Sequence, residues 1–109
     1  MLINNNYFFK NVSTPEISSP INNVKSNLLI LEVSGDATSF SVSVLGSIDL
    51  QNENYTQLNI LNMSDYSLNS NINSIGIYEV DISAIQNVKL QINSISGGNI
   101  SVLGIFKED

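Results

Sequence analysis

The chain has 109 residues, 42% of them hydrophobic and only 13% charged, with ten acidic residues against four lysines and no arginine, histidine or cysteine. That length suits one domain around one core. The missing side chains exclude disulfides, thiolate chemistry, His-based triads and zinc sites of imidazole or thiolate, and a net charge of −6 with isolated lysines leaves no cationic cluster for nucleic acid or anionic lipid.

With so few charges the wet surface must be built from Asn and Ser, which favour turns over helix interiors, while Ile and Val favour pleated surfaces. The composition therefore points to β structure. No segment approaches the ~18 apolar residues needed to span a bilayer. Met1 to Asn6 has neither the basic lead nor the apolar stretch of an export signal. A soluble protein with no cofactor is expected.

In chain order, Tyr7 to Val12 suits one strand, after which Pro15 and Pro20 remove ladder donors and bias their predecessors to extended backbone. Residues 1–27 are thus expected to form an N-terminal edge strand and extended arm, and residues 28–109 the sandwich domain. Leu28 to Val33 is almost continuously apolar, the pattern of a central strand covered on both faces. After a turn at Ser34-Gly35-Asp36, Phe40, Val42 and Val44 alternate with Ser39, Ser41 and Ser43, which is the period of a strand with one wet side. Gly46 to Asn54 reads as a loop, Tyr55 to Asn62 as a strand and Asp65 to Ser74 as a polar connection. Tyr78, Val80 and Ile82 alternate with Glu79 and Asp81, and Val88, Leu90 and Ile92 with Lys89, Gln91 and Asn93. Gly97-Gly98-Asn99 is a tight-turn sequence that predicts a hairpin between Val88 to Ile95 and Ile100 to Phe106. No helical stripe or long repeat is present. The expectation is an all-β fold, a seven- to eight-stranded antiparallel β-sandwich of jelly-roll or Ig-like type.

Chemistry, if any, falls to carboxylates. Glu79 and Asp81 share a strand face roughly 7 Å apart, a spacing that suits a glycosidase pair, but acidic groups on wet faces and in loops, such as Asp49, Glu53 and Asp65, are ordinarily just solvated. Asp49, Asn52, Glu53 and Asn54 crowd oxygen ligands into one loop without the spacing of an EF-hand. Tyr55 and Tyr66 flank loops and are the candidates for stacking on a glycan in a carbohydrate-binding module, whereas Tyr78 sits in the apolar phase of its strand. The sequons at Asn11, Asn54, Asn62 and Asn99 arise readily in a chain this rich in Asn and Ser. Leu2, Ile3, Tyr7, Phe8 and Phe9 make the leading segment apolar. They suit either an ordinary first strand or a docking arm that adds to a neighbour's sheet.

Two stretches carry a family resemblance. Val44-Leu45-Gly46-Ser47-Ile48-Asp49 with Tyr55 and Leu58 is one, and Gly76 to Ile85, Val88-Lys89-Leu90, Ser94 to Gly98 and Ile100 to Val102 form the other. Together they resemble segments of small β-sandwich structural proteins of tailed bacteriophages, with Ala84 where those often carry Gly and Lys89 where they often carry Arg. The resemblance implies a non-enzymatic virion structural protein, a capsid decoration or neck- or tail-attached module, assembled in the host cytoplasm. Its implied partners are itself or other virion proteins, capsid or tail subunits.

Overall fold

The computed structural model describes residues 2–22, 24–48 and 54–108, with backbone only for 2–6 and 108. Alternating apolar runs become nine strands: β1 (Leu2–Val12), β2 (Leu28–Gly35), β3 (Ser39–Ser47), β4 (Thr56–Gln57), β5 (Ile60–Asn62), β6 (Leu68–Asn69), β7 (Gly76–Asp81), β8 (Asn87–Ser96) and β9 (Ile100–Glu108). They form a six-stranded sheet in the order β1-β9-β2-β7-β5-β6 and a three-stranded sheet in the order β4-β3-β8, with every pairing antiparallel. The fold is all-β, as the composition requires. Its Cα radius of gyration, 13.1 Å, is that of one compact domain of this length.

The core lies between the sheets and uses the apolar phase of each strand. Leu29, Leu31, Val33, Tyr78, Val80, Ile100, Val102 and Phe106 face it from one side, and Phe40, Val42, Val44, Val88, Leu90 and Ile92 from the other. Each fully buried aliphatic side chain contributes roughly 1.5–3 kcal/mol relative to exposure. Tyr78 satisfies its buried hydroxyl by donating to the Ser74 carbonyl at 2.7 Å and sharing a 2.9 Å bond with the Ser74 hydroxyl.

Three details depart from the sequence expectation. The segment Tyr55 to Asn62 is not one strand: Leu58 N–H donates to the Val44 carbonyl at 2.8 Å, and the chain then crosses so that Ile60 is buried against β7 in the other sheet. The polar connection hides both β6 and Ile72, which is fully buried and exchanges backbone hydrogen bonds with Val42 at 2.8 and 2.9 Å.

The third departure concerns β8 and β9, which are consecutive but not a hairpin. β8 pairs with β3, and β9 pairs with β1 and β2. Gly97 and Gly98, at φ +76° and +144°, turn the chain from one sheet to the other. This corner nests on the parallel crossing at residues 35–38, where the Asp36 carboxylate accepts from Asn99 N–H at 2.9 Å and Thr38 N–H donates to the Ser96 carbonyl at 3.1 Å. The glycine turn was legible, but its partner strand was not.

Candidate interaction surfaces

An antiparallel sandwich must deal with the unpaired N–H and C=O groups of its edge strands. Among the described residues the three-stranded sheet has no long bare edge, since β8 is lined by a bonded segment and β4 is only two residues long. Along β8, residues 16–22 and Val24 make an interrupted set of strand-like bonds: Ile92 N–H reaches the Glu16 carbonyl at 2.8 Å, Ser18 and Ile21 donate to the carbonyls of Leu90 and Val88 at 2.8 Å, and Val24 donates to that of Gln86 at 2.8 Å. Ser18 compensates for the irregular backbone around Pro20, its hydroxyl accepting from Leu90 N–H at 2.9 Å. Along β3, β4 is followed by the Ile72 bridge.

The six-stranded sheet is handled differently. Its β6 edge is two residues long, but the β1 edge runs for eleven. Register shifts between Tyr7 and Phe9 and between Phe9 and Val12 twist the second half of β1, and Asn11 adopts φ +53° there. The first half is regular, with Leu2 opposite Glu108 through to Tyr7 opposite Leu103 without interruption. Residues 2–7 therefore present a flat, unpaired edge among the described residues.

The leading apolar residues divide between core and surface. The bulge turns both Phe8 and Phe9 inward. Phe9 is 4% exposed in the core, and Phe8 lies 6.3 Å from the Phe106 ring, in space left free because Gly104 has no Cβ. Tyr7 points outward, 55% exposed, with the Lys10 ammonium 5.3 Å from its ring. For Leu2 and Ile3 the structure gives backbone pairing only.

The remaining candidates do not converge on one site. Glu79 and Asp81 share the outer face of β7, as their spacing predicts. The Asp81 carboxylate, however, accepts from Ser83 N–H at 3.0 Å and Ser83 Oγ at 2.8 Å, and these bonds hold its pKa below the ordinary value of 3.8. A general acid needs the opposite shift. Asp65 is likewise lowered by Ser67, whose hydroxyl and N–H donate at 2.7 and 3.0 Å. Tyr55 precedes β4 and has the Lys89 ammonium 4.0 Å from its ring centroid. Tyr66 sits at φ +59° between β5 and β6, 72% exposed. Asp49, Asn52 and Glu53 lie outside the described residues, and no group of three or more metal-ligating side chains occurs among those described. No helix there is long and apolar enough to cross a membrane.

One surface that the candidate residues did not name is the outer face of the six-stranded sheet. In register across it, Ile105, Ile30, Glu79, Leu61 and Leu68 form one row, and Tyr7, Leu103, Glu32 and Ile77 another. The sequence signal was there in the continuous apolar run of β2, but no second layer among the described residues covers that face.

Comparison with known proteins places this architecture. The fold is similar to that of the SPBc2 prophage-derived protein YomS, with a TM-score of 0.81 and 22% identity over 97% of this chain and 95% of that one. It is also similar to the PBSX exported protein XepA, with a TM-score of 0.84 and 20% identity over 96% of this chain and 37% of that one. The chain thus spans little more than a third of the XepA chain. No curated protein sequence matches it significantly. YomS is prophage-derived, in line with the phage resemblance of the sequence motifs, and XepA is an exported protein. The XepA family model matches residues 5–106, from β1 to β9, and the chain belongs to that family.

Proposed function

We propose that the protein is a non-enzymatic structural component of a tailed phage particle, a capsid-decoration or neck- or tail-attached module that joins a neighbouring subunit through β1. The observation that carries this reading is the uneven treatment of the sheet edges. Among the described residues, β8 is lined by a hydrogen-bonded segment and the β4 and β6 edges are two residues long each, yet the longest strand keeps a regular, unpaired half at residues 2–7. Strand addition there would satisfy the open backbone groups and cover Tyr7. The neighbour is a second copy of this chain or another particle protein.

The prophage origin of YomS supports a role in the particle, and the charge-poor sandwich suits a part that is assembled rather than turned over. Mass spectrometry of gradient-purified particles from the induced host tests it. The protein is expected at a fixed ratio to the major structural subunits. Its confinement to the particle-free lysate supernatant would refute the proposal.

A further inference from the structure

The outer face of β2 is at odds with its sequence. A run such as Leu28 to Val33 is the pattern of a strand buried on both sides, yet only Leu29, Leu31 and Val33 are buried, while Leu28 and Ile30 remain half-exposed on the outer face. Ile105 and Leu103 on β9, Leu61 on β5, and the exposed Leu68 and Ile77 continue that apolar surface in register. Surfaces of this kind on small domains mark contact sites.

The charge on this face is not evenly spread. Toward the β5-β6 side lies a depression of about 230 Å³, lined by Leu28, Asn59, Leu61, Leu68, Glu79 and Asp81. Its walls are mainly aliphatic and its charges are carboxylates. Glu79 is half-buried between Ile30 and Leu61, its opposite residues on the neighbouring strands. Neither Glu79 nor Asp81 meets a cation among the described residues; Asp81 has only its Ser83 contacts. Lys107 is on the same face but beyond Leu28, two strand spacings or roughly 10 Å from Asp81.

We propose that this depression is a docking socket for an arginine or lysine side chain of a partner protein. The aliphatic stem lies on Leu28, Leu61 and Leu68, the cationic head reaches Glu79 and Asp81, and apolar residues flanking it in the partner lie across Ile30 and Ile105. Long basic side chains combine an apolar stem with a charged head, which is the combination this socket complements. A second copy of the chain is a poorer occupant. It has no arginine and a net charge of −6, and a two-fold along β2 would stack Glu32 on Glu32. The inference is separate from the β1 edge, since it concerns a face rather than a ladder and lies toward the opposite end of the sheet.

The test is an NMR titration of the isotope-labelled full chain with a capped Leu-Arg-Leu-Arg-Leu peptide, alongside a Leu-Glu-Leu-Glu-Leu control. The expected result is shifts mapping to β2, β5, β6 and β7 with the basic peptide only. Binding should weaken on raising salt from about 0.05 to about 0.5 M, and about fivefold with Glu79→Gln. Leu68→Ser, at a position already 69% exposed, leaves the fold intact and is expected to weaken binding as well. Equal binding of the acidic peptide, no binding of either, or shifts confined to β1 would overturn the socket. So would concentration-dependent shifts of the protein alone that vanish with Leu68→Ser, since a second copy would then be the occupant.

Discussion

Gly104 shows how much of this structure turns on single atoms. A Cβ there would collide with the Phe8 ring, which lies beneath it and against Phe106. Gly104→Ala is therefore expected to cost about 1–3 kcal/mol in urea unfolding. In a Phe8→Ala background the same change should cost much less, because the colliding ring is gone. An equal cost in both backgrounds would remove Phe8 from the explanation. Asp81 offers a second test. Its carboxyl is held below the ordinary value by the Ser83 hydrogen bonds, so the native state favours the ionised form. Its stabilising effect is present above the unfolded-state pKa and is lost as pH falls through the lower folded value. Asp81→Asn keeps only a neutral acceptor for Ser83, so thermal stability should fall slightly at neutral pH and converge on that of the parent as pH drops below about 4, with a shallower acid-side slope.

Among the elements, β1 has two roles that the sequence alone could not separate. Three consecutive aromatics suggested either a packed strand or a docking arm, and the bulge after Tyr7 gives both: Phe8 and Phe9 join the domain, and the regular half stays open at its outer edge. Removing Met1 to Val12 should accordingly do more than release a contact. It strips Phe9 from the core, worth roughly 1.5–3 kcal/mol of burial, and bares β9, so the truncated chain is expected to aggregate and to unfold at lower denaturant. A well-folded truncated monomer of parental stability would contradict this role. The strands with clean alternation, β3, β7 and β8, were legible because period 2 reports one wet face. The pairing of β8 and β9 was not, because a glycine turn fixes a reversal of the chain but not the sheet into which it leads. Ile72 was hidden because Ser70 breaks the alternation that Tyr66 and Leu68 begin, and its burial depends on Val42 far away in sequence. The outer face of the large sheet was legible only as the excess hydrophobicity of β2.

For the whole molecule, the family model and the two structural neighbours establish a XepA-family sandwich, and the surface decides how it would work. With little charge to guard its edges, a sandwich of this composition relies on covering strands, and residues 2–7 form, among those described, a long, regular stretch left open. The most direct measurement is amide hydrogen exchange of the full chain, free and bound to purified particles. The outward-facing amides of residues 2–7 are expected to gain protection on binding, while those of Ser18, Ile21 and Val24, already bonded to β8, change little. Binding that leaves β1 exchange unchanged and protects another surface would contradict it.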